Sequence, residues 1–147
     1  MKRFLFLLAA LCAVLIGCST QATPVQETDV LLVTDGTSEK QYELEDLQSL
    51  QAAQAVFRDI SYTGVPLSLL LEDAGFDTVT LSAVKATARD GFSANYEPAL
   101  IARPDTLVAY ARIDGPLADD EGAFRMVLPD QEGKLNPRKL VEIRVYP

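Results

Sequence analysis

The spacing of apolar and polar positions changes several times along the chain, and each change marks an element. Phe4 to Ile16 is an almost unbroken apolar run behind Met1-Lys2-Arg3. It is shorter than the about 20 residues a membrane span needs and fits the central region of a secretory signal. Ser19 to Thr28 is polar, holds one proline and has no period, which predicts a flexible tether. Val30 to Thr34 is a strand, Asp35-Gly36 a turn and Lys40 to Leu44 the returning strand of a hairpin. Leu44, Leu47 and Leu50, with Ala53 near the same face, predict a short helix over about Glu43 to Gln51. Ala55 to Tyr62 alternates Val56, Arg58 and Ile60 against Phe57, Asp59 and Ser61, a strand whose buried face the pattern leaves open.

Tyr62 to Phe76 reads as a short helix with its start and stop written in. Pro66 suits the first turn, Leu67, Leu70, Leu71 and Ala74 form one stripe, and Gly75 suits the left-handed closing position. Thr78 to Ala88 is a long strand whose alternation slips from Val79, Leu81, Ala83 to Val84, Ala86, Ala88, which suggests a bulge. Arg89-Asp90-Gly91-Phe92 turns the chain, and Tyr96 to Ala102 is a short helix with Pro98 in its first turn. Thr106 to Ile113 is a strand and Asp114-Gly115-Pro116 a turn. Phe124 to Leu128 and Val141 to Tyr146 are the last strands. Strands dominate and helices are short, so the fold class is α+β with a strand-rich mixed or antiparallel sheet, in one domain over residues 30–147.

Composition narrows the chemistry. The formal net charge is −8 and no basic stripe is present, so nucleic acid is excluded as a partner; the acidity serves solubility. There is no histidine, and the two cysteines are Cys12 and Cys18. Ser–His–Asp and Cys–His catalysis and the usual zinc sites are therefore absent. Arg58, Arg89, Arg103, Arg112 and Arg125 are the candidate anion contacts, because a guanidinium fork suits carboxylate or phosphate; each also fits a rim charge paired to a nearby acid. Ala118-Asp119-Asp120-Glu121-Gly122 lacks the alternating oxygen ligands of a calcium loop and reads as a solvated acidic loop. Phe92, Tyr96 and Tyr110 fit either a pocket mouth or half-buried packing.

Leu15-Ile16-Gly17-Cys18 resembles the lipobox of bacterial lipoproteins. The resemblance implies cleavage after residue 17, acylation of Cys18 (palmitate among the acyl groups), and a lipidated tether over residues 18–29. Ser19 stands where an inner-membrane retention aspartate would sit, which favours the periplasmic face of an outer membrane. The membrane is then a partner through the lipid.

The order of the remaining motifs resembles one family. Tyr62-x-Gly64-Val65-Pro66-Leu67, then Leu70-Leu71 and Gly75, is similar to a signature segment of the oxidoreductase molybdopterin-binding domain, the sulfite oxidase fold. Asp90-Gly91-Phe92 resembles that family's Asp-Gly-Tyr turn. Leu107 to Tyr110 with Asp114-Gly115-Pro116-Leu117, Gly122-x-Phe124-Arg125-Met126-Val127-Leu128-Pro129, and Lys139-Leu140-Val141-x-Ile143 resemble its later segments. Arg89, Arg125, Asp90, Phe92 and Lys139 are the ligand-binding candidates, because each lies in or beside such a segment. In the family's enzymes a cysteine upstream of Gly-Val-Pro-Leu ligates molybdenum. The matching stretch here, Ser49 to Tyr62, has none, and a serine hydroxyl is not an equivalent ligand. The tryptophan beside the closing lysine is Leu140 here, and the glycine after the strand-ending proline is Asp130.

The start of the chain adds a second argument. Enzymes loaded with this cofactor resemble twin-arginine passengers exported folded, whereas Lys2-Arg3-Phe4 lacks the arginine pair. It resembles the start of chains threaded unfolded, which would arrive without cofactor. The expectation is thus no catalytic residue, no metal ligand and no bound cofactor, with a small anion or another envelope protein as partner. Molybdopterin binding without the cysteine, or a place in a redox complex, is the alternative, and a structural spacer a third. Cys18→Ser is expected to abolish lipidation and the processed form. Radiolabelled palmitate incorporation and membrane fractionation check this, and unchanged membrane-bound mature protein refutes it.

Overall fold

The computed structural model describes residues 29–147. The expected leader, Cys18 and the tether up to residue 28 lie outside the described residues. The architecture is two five-stranded sheets with three short helices. β1 (Leu31–Thr34) and β2 (Glu39–Tyr42) form the first hairpin, followed by α1 (Leu44–Ser49). β3 (Ala53–Phe57), β4 (Ile60–Pro66) and α2 (Leu67–Asp73) come next, then β5 (Ala83–Ala88), β6 (Ser93–Tyr96) and α3 (Pro98–Ile101). β7 (Leu107–Arg112), β8 (Gly115–Pro116), β9 (Arg125–Val127) and β10 (Leu140–Tyr146) complete the chain. One sheet runs β2-β1-β10-β5-β6 and is mixed, because β1 lies parallel to β10. The other runs β3-β4-β7-β8, with β9 on the same edge of β7 as β8. All its pairs are antiparallel. The α+β class and strand-rich mixed sheet expected from the sequence are therefore observed.

Four expected elements differ. Ala55 to Tyr62 is a hairpin, not one strand: Arg58 (φ 48°) and Asp59 (φ 65°) are both left-handed, the geometry of a tight turn that matches strand twist. The first five residues of Tyr62 to Phe76 belong to β4, and the helix starts after Pro66. The strand expected from Thr78 begins only at Ala83. Asp77 draws the preceding segment into a local turn, its Oδ1 accepting Val79 N–H at 3.0 Å and its carbonyl the Thr80 hydroxyl at 2.9 Å. Val79 is left 90% exposed. The register irregularity lies instead across the sheet, between Leu140 and Glu142 of β10. Finally, Ser93 to Tyr96 is β6, and the helix expected from Tyr96 is confined to Pro98–Ile101.

The main core lies between the sheets. Leu31, Val33, Val84, Ala86, Ile143 and Val145 of the mixed sheet meet Val65, Val108 and Met126 of the other, with Leu67, Leu70 and Leu71 of α2 wholly buried among them. Gly64 explains the glycine of the Gly-Val-Pro-Leu segment. A Cβ there would stand 2.3 Å from the Val108 carbonyl oxygen and 2.6 Å from Ala109 Cα, so only glycine lets β4 approach β7 this closely. A second, smaller cluster of Ala55, Phe57, Tyr62, Leu107, Ala109 and Val127 lies on the opposite side of the antiparallel sheet.

β9 alternates between the two clusters, and this fixes the role of Arg125. Met126 enters the main core and Val127 the smaller cluster. Arg125, two positions from Val127, shares its side and is 4% exposed. A guanidinium so placed needs a counter-charge. Glu121, 3% exposed, supplies it at 2.6 Å. The expectation of a solvated acidic loop is therefore wrong at Glu121. Burial alone would push its carboxyl up, but the Tyr62 hydroxyl, the Ala118 N–H and the Arg125 and Arg112 guanidinium groups outweigh that and hold it at about 2.

Packing makes two substitutions informative. Leu70→Ala is expected to cost about 2–5 kcal/mol in urea unfolding, because Leu70 is wholly buried; a loss below about 0.5 kcal/mol, the level of exposed sites, would refute the assignment. Glu121→Gln is expected to cost about 3–5 kcal/mol at neutral pH, since it strands a buried guanidinium. The carboxyl's folded value lies below its ordinary 4.5, so its contribution is full above that value and is lost as pH falls from there towards about 2. The gap between wild type and variant in acid titrations of stability should close over that range.

Candidate functional site

A cleft of about 410 Å³ opens where the antiparallel sheet meets the loops before and after β9. Its lining holds four arginines, Arg58, Arg112, Arg125 and Arg138, against two carboxylates, Asp120 and Glu121. This is a local excess of positive charge in a chain of net charge −8. Phe57, Ile60, Tyr62 and Asn136 complete the wall that matters here. The turn between β3 and β4 delivers Arg58, β7 delivers Arg112, β9 delivers Arg125 and the approach to β10 delivers Arg138.

The four arginines fall into two pairs. The inner pair, Arg112 and Arg125, is committed. Arg125 Nη1 donates to Glu121 Oε1 at 2.6 Å and to the Tyr62 hydroxyl at 2.9 Å, while its Nε donates to the Met126 carbonyl at 3.2 Å. Arg112 donates through Nε to Glu121 Oε2 at 2.9 Å, with Nη2 2.8 Å from the same oxygen. This hydrogen-bonded carboxylate raises the Arg112 guanidinium further above its ordinary value. Burial, reinforced by the bond to Glu121, raises the Tyr62 phenol, so it acts as a neutral donor.

The outer pair is looser. Arg138 is held by Asp120, and both side chains are more than half exposed, so the pair contributes little. Arg58 has no carboxylate partner among the described residues. Its guanidinium carbon lies 5.2 Å from the Phe57 ring centroid, and that ring also faces Arg125 at 5.6 Å. Its backbone is held at positive φ, a conformation costing about 1–2 kcal/mol for an L-residue. Gly133 faces it: a Cβ there would stand 2.7 Å from Arg58 Nη2. Asn136 is used structurally, its Oδ1 accepting Leu128 N–H at 2.6 Å and its amide donating to the Glu132 carbonyl at 3.1 Å.

The residues singled out from the sequence are only partly brought together. Asp90, Phe92 and Lys139 line an adjoining groove of about 370 Å³, which shares Asp120, Gly133, Asn136 and Arg138 with the cleft. Asp90 spends Oδ1 on Phe92 N–H at 3.0 Å and shapes the turn, while Phe92 is 46% exposed. Arg89 lies apart, in a groove with Asp29, to which it pairs at 2.6 Å. Lys139 is the link, lining both grooves. It also holds the backbone together: its N–H donates to the Glu121 carbonyl at 2.7 Å, and its carbonyl accepts Arg89 N–H at 2.8 Å. Among the wider candidates, Arg103 forms a bidentate pair with Asp105. Tyr96 is core, and Tyr110 packs against the core. Tyr62, Arg138, Asn136 and Gly133 carried no such reading from the sequence. One signal was available: an arginine inside the apolar run Phe124 to Leu128 demands a buried acid.

Two family departures also have a place in the fold. Asp130, at the family's glycine position, keeps a left-handed backbone at φ 60°. Leu140, at the tryptophan position, is packed in the main core. The stretch Ser49 to Tyr62, where the family's enzymes carry their cysteine, supplies Phe57, Arg58, Ile60 and Tyr62 to the cleft. Among the described residues no group of three or more cysteine, histidine, aspartate or glutamate side chains is placed to hold a metal ion.

Comparison with known proteins agrees with this architecture. The crystal structure of the sulfane dehydrogenase SoxCD from Paracoccus pantotrophus superposes with a TM-score of 0.68 at 18% sequence identity, a likeness of fold. The match covers 80% of this chain and 38% of that one, so the chain spans well under half the length of that protein. No curated protein matches the sequence. The profile of the oxidoreductase molybdopterin binding domain family matches residues 19–147, so the chain belongs to that family.

Proposed function

We propose that the chain is a non-catalytic binding module of a bacterial envelope, anchored through a lipid on Cys18 and offering its arginine cleft to a small anion or to an acidic segment of another envelope protein. The donor set of the cleft carries this reading. The family implies a molybdopterin, and the enzymes that the sequence resembles hold molybdenum with a soft thiolate. The cleft offers guanidinium, carboxylate, amide and phenol groups, and both cysteines precede the described residues. These residues do not fit a thiolate-held molybdenum. What they do fit is oxyanion recognition, for which arginine forks beside an aromatic face are well matched.

Family membership favours one second reading, a molybdopterin-binding or redox-complex role in which the pterin phosphate meets the arginines without a metal–cysteine bond. Elemental analysis separates the two. After native purification of the processed protein from its membrane, the binding-module reading expects molybdenum far below one atom per chain. Stoichiometric molybdenum would overturn it.

A further inference from the structure

Glu121 is surrounded as a bound oxyanion would be. Oε1 accepts the Tyr62 hydroxyl at 2.7 Å and Arg125 Nη1 at 2.6 Å. Oε2 accepts Arg112 Nε and Ala118 N–H, both at 2.9 Å. A carboxylate has about four lone-pair sites, so each is spoken for. The donors come from β4, β7, β9 and the loop that carries Glu121, which is how a fold cradles a ligand. The backbone that carries the carboxylate is pinned. Glu121 N–H donates to the Ala118 carbonyl at 2.8 Å, and its carbonyl accepts Lys139 N–H at 2.7 Å. Gly122 (φ 75°) packs so closely that a Cβ would stand 2.9 Å from Lys139 Cα.

We infer that Glu121 is a built-in occupant of an anion site: its carboxylate fills the inner arginine pair, Arg112 and Arg125, and confines any external anion to the outer pair, Arg58 and Arg138. Glu121 is thereby a specificity-determining residue. With both inner arginines engaged by the one carboxylate, the outer cleft retains Arg58, which has no carboxylate partner among the described residues, and Arg138, whose exposed Asp120 a ligand can displace. The ligand class that follows is a compact anion, a carboxylate or phosphate. The filled inner site stands on geometry alone. The placement of an external ligand rests on the reading of the cleft as a binding site.

Chemical rescue tests the filled site. Glu121→Ala removes the carboxylate and leaves its donors in place. Formate, the smallest carboxylate, is expected to bind there and raise the melting temperature of the variant by about 4 °C or more over sodium chloride of equal ionic strength, while leaving wild type within about 1 °C. The double variant Glu121→Ala with Arg112→Gln is expected to lose most of this response. Equal shifts in wild type and variant, or none in the variant, would overturn the inference. If Glu121→Ala does not fold unaided, refolding yield against formate concentration decides the question instead: yield that rises with formate and saturates supports the filled site, and yield indifferent to formate refutes it. A negative result here says nothing about molybdenum content, so this failure is distinguishable from failure of the binding-module reading.

Discussion

The contact between Glu121 and Arg125 is the constraint on which the antiparallel half of the molecule depends. β9 is only three residues long and must bury all three, one of them charged. Without a carboxylate on the same side, Arg125 would pull β9 off the edge of β7. With it, a loop, an edge strand and a phenol from β4 are joined in one hydrogen-bonded group. The desolvation of two ions is offset because both oxygens and most of the guanidinium hydrogens find partners. A neutral pair of similar shape would pack as well, so the charges are more readily understood as selecting one loop conformation than as adding net stability.

The hydrophobic pattern carried most of the architecture. Strands β1, β2, β7, β9 and β10 and helices α1 and α2 lie within a few residues of where periodicity puts them. What it missed has local physical causes. A two-residue turn inverts the alternation, so Phe57 and Ile60 pair across the hairpin and share a face, whereas a single strand would put them on opposite sides. At Asp77 the side chain offers the backbone partners of its own, and the strand expected there gives way to a turn. Ser93 to Tyr96 is too short, and too close to Pro98, for its period to stand out.

The candidate site was less legible, for a different reason. Proximity to motifs selected Arg125, Asp90, Phe92 and Lys139, and the fold does gather these around two adjoining openings. It scatters Arg89 to another face and brings in Arg138, which no reading of the sequence had singled out, and Arg58, a candidate only as a possible anion contact. Hydrogen bonding across 59 to 63 positions of sequence, as for Tyr62 with Glu121 and Arg125, leaves no local trace. An acidic residue in a polar loop reads as solvated until the strand that covers it is placed.

The mixed sheet has its last strand in the middle. β10 lies between β1 and β5, parallel to one and antiparallel to the other. Until that strand arrives, the β1-β2 hairpin and the β5-β6 hairpin have no common neighbour, and each shows an apolar face to water. The first half of this sheet therefore waits for nearly the whole chain, and its assembly is dominated by closure of the longest loop available. A polypeptide arranged this way can complete its antiparallel sheet while still emerging from a ribosome, but its mixed sheet closes only once β10 is available.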